Sequence, residues 1–201
     1  MPSTPKSTSP GLWSSGNRKL WREALDSYVD VVERQKVKPL AELDRWYREE
    51  LPSLIAARRV PHVTLPELAR ITEWKMARGV YRAPNLILVR GNDPAAVIET
   101  SRRALADIPH PTSPIATLAS LDGVGPATAS GVASAAVPEI YPFFDELVAQ
   151  QVPGLGKIAW TLGFYAKYAS AIRERAERLG NDWSPVMVER ALWAHVGGKS
   201  G

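Results

Sequence analysis

Asp145 closes the run Tyr141-Pro142-Phe143-Phe144-Asp145, a single carboxylate behind a proline and three aromatic rings. Twenty residues earlier stands Gly125, second glycine of the triplet Gly123-Val124-Gly125 within the stretch Leu118 to Ser130. A carboxylate beside a cleft can stabilise a developing cation or activate an attacking water. Equally, an Asp before Glu146 suits the N-cap of a helix beginning there. Sequence position permits both. The two glycines allow a tight turn and close backbone approach, with Val124 as the anchor of the turn in the core. Amides at such a turn and at the following helix start form a ready anion site. It would bind a phosphate without reading sequence. The alternative is an ordinary corner between two helices. A second turn, Val152-Pro153-Gly154-Leu155-Gly156-Lys157, has similar lettering, with Lys157 as the phosphate contact if it binds one.

The segment Gly123-Val124-Gly125-Pro126-Ala127-Thr128-Ala129-Ser130 resembles the helix-hairpin-helix of the DNA glycosylase superfamily that includes endonuclease III and the adenine-mismatch glycosylases. That family's pattern is Leu-Pro-Gly-Val-Gly, two variable residues and Thr-Ala, followed about twenty residues after the second glycine by an Asp. The resemblance covers about residues 64–150. It implies an all-α, two-lobed helical bundle with a cleft that receives a base flipped out of the DNA stack. It gives Asp145 the catalytic role, stabilising positive charge on the deoxyribose as the N-glycosidic bond breaks. It assigns double-stranded DNA as the partner and the hairpin residues Gly123, Val124, Gly125 and Thr128 as DNA contacts. Ala127 occupies the position of the Schiff-base lysine of the family's lyases, so the resemblance is to a monofunctional enzyme without β-lyase activity by that route. Pro126 lacks an amide proton, and Asp122 replaces the family's usual proline with a negative charge.

The helix around Leu68–Arg78 falls where the resemblance puts the opposite cleft wall. There Trp74 or Tyr81 would stack on the extruded base, Glu73 would polarise it, and Lys75, Arg78 and Arg82 would hold phosphates. Residues 58–103 carry nine basic and four acidic side chains, whereas residues 104–201 carry seven and nine; that density suits phosphates or a solvated helix surface, and charge alone does not decide between them. The competing expectation packs Trp74 in the core and leaves the cations on a solvated face. Trp21, Trp46, Trp160, Trp183 and Trp193 are read as packing residues.

Those side chains need helices to position them. Apolar residues recur at helical spacing from Arg18 to about Gln35 and over residues 39–50. Thr64 to Glu67 has the capping-box spacing, with Gly79 as a stop. Asp93-Pro94, Ser113-Pro114 and Ser184-Pro185 each pair a capping side chain with a proline at the first helical position. A long helix is expected from about Ile158 to Leu179, closed by Gly180. Leu86 to Val89 has strand-like composition but no partner run. The expected fold is therefore all-α, of about eight helices. Residues 1–17, with seven Ser/Thr and three Pro, are expected to form a disordered tail. Residues 18–201 are expected to form one helical domain, with its hairpin at 118–130.

The absence of cysteine excludes disulfides, thiol nucleophiles, Cys-ligated zinc and iron–sulfur clusters. No cofactor or metal is expected, and neither a membrane span nor a signal peptide is evident. The chain reads as intracellular, nuclear or cytoplasmic. Its expected function is hydrolysis of the N-glycosidic bond of a damaged or mismatched base in DNA. The alternatives are a non-catalytic helix-hairpin-helix module binding DNA or protein, and a helical scaffold in which Gly123 and Gly125 only turn a corner.

Overall fold

Local start and stop signals translate directly into elements. The computed structural model describes residues 11–200, and every regular element among them is helical. Asn17 opens α1 (Arg18–Asp26) by accepting from the Lys19 amide. Ser27 then separates α1 from α2 (Tyr28–Glu33). The helix α3 (Leu40–Arg45) runs through a π-helical turn at Trp46–Glu50 into α4 (Leu51–Ala56). The capping box of Thr64 and Glu67 forms, with α5 spanning Leu65–Arg78. Asp93 caps α7 (Pro94–Ala106), and Ser184 caps α12 (Pro185–His195).

Leu86–Val89, whose composition is strand-like, lies inside a helix, α6 (Ala83–Arg90), with Pro84 in its first turn. Three expectations change. Ser113 is the first residue of α8 (Ser113–Leu118) rather than its cap, and its hydroxyl donates to Asp107 instead. The long helix α11 begins at Leu162, four residues later than expected, because Thr161 caps it by accepting from the Phe164 amide. The expected tail of residues 1–17 is too long: residues 1–10 lie outside the described residues, but Leu12–Ser14 form a 3-10 turn with Leu12 buried. Trp13 packs edge-on against Trp21 at 6.5 Å and its carbonyl accepts from Arg175. Two large apolar side chains thus offset the ordering of that short stretch.

Three helices organise the core. Nine of the eleven residues of α9 (Pro126–Ala136) are buried, almost all of them Ala, Gly, Ser or Val. Small side chains on every side let neighbouring helices approach closely. A Cβ at Gly131 would meet Ile71 of α5 at 3.1 Å. The helix α12 crosses α1, α2, α11 and the short α10 (Glu146–Ala149). Between α5 and α9 a ring stack joins Tyr47 to Trp74 at 3.6 Å and Trp74 to Phe143 at 4.6 Å. Such pairs contribute ~0.5–1.5 kcal/mol each beyond their buried area. One continuous apolar cluster runs from Leu12 to Ala194.

Candidate functional site

The segment before Asp145 is extended and buried, so its backbone groups need partners. Three side chains supply them, and the segment's own Tyr141 reaches outward. The Phe144 amide donates to Ser130 Oγ on α9 at 2.9 Å, and Tyr168 of α11 donates to the Phe143 carbonyl at 2.7 Å. Tyr165 donates to the Pro142 carbonyl at 3.4 Å, and the Tyr141 hydroxyl donates to the His110 carbonyl at 2.8 Å. Asp145 then caps α10. Its Oδ1 accepts from the amides of Leu147 at 2.8 Å and Val148 at 3.4 Å.

The capping alternative is therefore realised, and the cleft alternative with it. Asp145 lines a cavity of about 300 Å³. One wall is the start of α9, Gly125 to Thr128; a second is the end of α5 and the loop after it, with Lys75, Arg78, Val80 and Arg82. Phe144 and Trp160 form an aromatic side, packed on each other at 4.8 Å. Lys199, from the C-terminal 3-10 turn, adds a third cation beside Lys75 and Arg82.

Arg78 does not face solvent. It is 1% exposed, and its Nη2 donates to Glu189 of α12 at 2.6 Å while lying 3.3 Å from Asp145 Oδ2. Nη1 donates to the Tyr28 hydroxyl at 3.3 Å. The guanidinium carbon sits 4.6 Å from the Trp193 ring centre and 5.2 Å from those of Trp74 and Phe143. The expected phosphate role for Arg78 is thus corrected: both its Nη atoms are engaged inside the protein, and its Nε is buried without a hydrogen-bond partner. Burial raises the Asp145 pKa above the ordinary carboxylate value, against the opposing pull of Arg78 and the two amides. Burial likewise pushes Glu189 up to about 7, opposed first by Arg78. One guanidinium between two buried carboxylates cannot fully compensate both.

The expected base pocket is corrected as well. Trp74 is 1% exposed, stacked on Tyr47, and donates from Nε1 to Asp44 Oδ1 at 3.0 Å. The same oxygen accepts from Tyr28 at 2.6 Å. Glu73 pairs with Arg90 on the surface, and Tyr81 is exposed; neither lines the cavity. Lys75 and Arg82 do line it, as do Gly125 and Thr128. Gly123 and Val124 do not. Val124 is buried as an anchor, and Gly123, at φ +74°, is pressed against α6, where a Cβ would fall 2.5 Å from the Asn85 carbonyl oxygen. Asn92 clamps this turn in both directions, donating to the Asp122 carbonyl at 2.9 Å and accepting from the Asp122 amide at 3.0 Å.

Sequence reasoning missed Phe144, Trp160 and Lys199. By sequence Trp160 falls within the helix expected from Ile158, which makes it a packing residue. It actually lies in the loop before Thr161 and is 42% exposed. A tryptophan between a glycine-rich turn and a capping threonine is the signal that would have found it. Family models, curated proteins and solved structures were each compared with the chain, and none matches.

Proposed function

We propose that this protein is a monofunctional DNA glycosylase-type hydrolase, releasing a damaged or mismatched base from double-stranded DNA, with Asp145 as its catalytic carboxylate. One observation carries the reading: Asp145 shares a cavity with the start of the helix that follows Gly123-Val124-Gly125. A volume of about 300 Å³ is at the lower end of small-molecule sites and suits a single extruded base. Phe144 and Trp160 offer ring faces for stacking, and Lys75, Arg82 and Lys199 offer charge for phosphates.

In this reaction the C1′–N bond breaks and its electrons leave with the base. The sugar becomes oxocarbenium-like, and a water oxygen bonds to C1′ while Asp145 takes the water's proton. A raised pKa makes the carboxylate a better base, and two amides together with Arg78 keep it oriented. Ala127 lines the cavity with only a methyl group, in keeping with hydrolysis without a lysine at that position.

The test is base release from a panel of duplexes carrying single lesions or mismatches, scored by strand scission after alkali. Wild type is expected to act on at least one, and Asp145→Asn, which still accepts the α10 amides, to lose that activity while remaining folded. Retained activity in Asp145→Asn overturns the mechanism.

A second reading, a non-catalytic helix-hairpin-helix module, is favoured by Pro126, which lacks an amide proton, and by the engagement of Asp145 with Arg78. It predicts equal, salt-sensitive binding to intact duplex and to a duplex with a stable abasic analogue. The hydrolase reading predicts tighter binding to the abasic duplex.

A further inference from the structure

Glu189 is a buried carboxylate that the hydrolytic step leaves unused. It stands on α12, is 1% exposed, and lines no part of the cavity. Its Oε1 accepts from Arg78 Nη2 at 2.6 Å, and the same nitrogen lies 3.3 Å from Asp145 Oδ2. One nitrogen thus stands between two carboxylates, on the side of Glu189. The other end of the guanidinium, Nη1, donates to the Tyr28 hydroxyl, and four aromatic rings enclose the group.

A carboxylate fully paired with an arginine is a weak base, because the cation favours its ionised form. Asp145 has to be a base in the hydrolase reading, on which this inference rests. Its Oδ1 is committed to the amides of Leu147 and Val148, which leaves Oδ2, the oxygen beside Arg78, to take the water's proton. We propose that Glu189 is a positioning residue that holds the Arg78 guanidinium back from Asp145, close enough to orient the carboxylate without hydrogen-bonding to it. Loss of the Glu189 charge lets Arg78 close on Asp145, and Asp145 becomes a weaker base.

The surrounding charges leave Arg78 as the shared cation. Besides Arg78 and Asp145, the groups acting on Glu189 are Arg190 on its own helix, Tyr28 of α2, Tyr47 of the π-helical turn and Tyr168 of α11. Burial raises all three tyrosines, so they stay neutral. Asp44, which also acts on Arg78, has its own partner in Arg48 at 2.6 Å. Among the described residues no second cation pairs with Asp145 or Glu189. Glu189 ionises as pH rises through about 7, so its hold on Arg78 strengthens across that window.

The test reads Asp145 directly and needs no DNA. Carboxyl-carbon NMR follows both residues, assigned by the signals lost in Asp145→Asn and Glu189→Gln. In wild type the Asp145 carbon is expected to show an inflection at the pH where Glu189 ionises. Glu189→Gln keeps the shape and an acceptor oxygen but not the charge, and its Asp145 is expected to titrate at clearly lower pH. Glu189→Asp keeps the charge and is expected to restore the wild-type titration. A wild-type Asp145 signal with no inflection at that pH overturns the proposal, whether or not the variants fold. So does an Asp145 titration in Glu189→Gln that matches wild type. On any duplex that wild type acts on, kcat of Glu189→Gln above pH 7 is expected to fall on the order of tenfold with KM unchanged, and the rise of kcat through pH 7 to disappear. A pH profile of kcat in Glu189→Gln that parallels wild type overturns the proposal as well.

The two readings fail separately. Base release with an Asp145 titration indifferent to Glu189 leaves hydrolysis standing and removes the positioning role. Coupled titration with no base release from any lesion supports the hold of Glu189 on Arg78 and removes the hydrolysis.

Discussion

Lys75 and Arg78 lie one turn apart on α5, and both line the same cavity, yet they have opposite fates. Arg78 is enclosed by four aromatic rings and paired to Glu189 and Asp145. Lys75 is half-buried and unpartnered among the described residues. The two glycine turns differ in the same way. Gly123 is pressed against α6, whereas Gly154, also at positive φ, has no atom within 4 Å of an added Cβ. A residue engaged on all sides contributes to stability, while an open one is available to a ligand.

The sharpest way to break this comparison is Arg78→Met. It leaves Asp145 and Glu189 buried without their cation, and unfolding free energy in urea is expected to fall by ~3–5 kcal/mol. A loss below about 1 kcal/mol, the range of exposed ion pairs, would mean that Arg78 is no more engaged than a surface residue.

Glu189 gives the next effect, read through pH. Its folded pKa of about 7 lies above the ordinary 4.5, so the folded state holds a proton that the unfolded state has lost. Its contribution is full below about pH 4.5 and is lost as pH rises through 7. In Glu189→Gln the corresponding fall in stability between pH 5 and 7 is expected to vanish, measured as the difference from wild type in urea titrations. Parallel pH profiles for the two proteins would place the titration elsewhere.

The glycine turns sharpen the comparison further. Gly154→Ala is expected to cost ~1–2 kcal/mol from the left-handed backbone alone. Gly123→Ala adds a clash with the α6 backbone and should exceed it clearly in thermal or urea unfolding. Equal losses would mean that the α6 contact contributes nothing. The smallest effect is expected from Lys75→Met, within about 0.5 kcal/mol of wild type, as for a side chain with no partner to lose. A loss above about 1 kcal/mol would show that Lys75 supports the fold.

Much of the helical framework was legible because its signals are local. Thr64 with Glu67, Asp93, Ser184 and Gly180 act within a turn of themselves, and each stands where the sequence placed it. Residues near chain ends and helix starts were less legible. Leu12 and Trp13 are ordered by Trp21 and Arg175, the latter 162 residues away from Trp13. Trp160 was hidden by a four-residue error in the start of α11. On the site, Asp145 could be singled out as a carboxylate able to cap a helix or face a cleft, but nothing nearby in sequence says that it does both.

What the sequence determined by itself was therefore the all-α character, the caps at Thr64, Asp93 and Ser184, the Gly123 corner with its Val124 anchor, and the residue types gathered around Asp145. Only the tertiary structure decided which charges stay available. From composition, Lys75, Arg78 and Arg82 form one basic stripe, and Trp74 is as good a stacking platform as Trp160. The distinction comes from elements far away in sequence: Glu189 reaches Arg78 across 111 residues, and Asp44 takes the Trp74 Nε1–H across 30. Burying a charge is costly unless such a partner arrives, although single atoms, such as Trp193 Nε1, are buried here without one. That arrival is a property of how helices pack, and no local pattern encodes it.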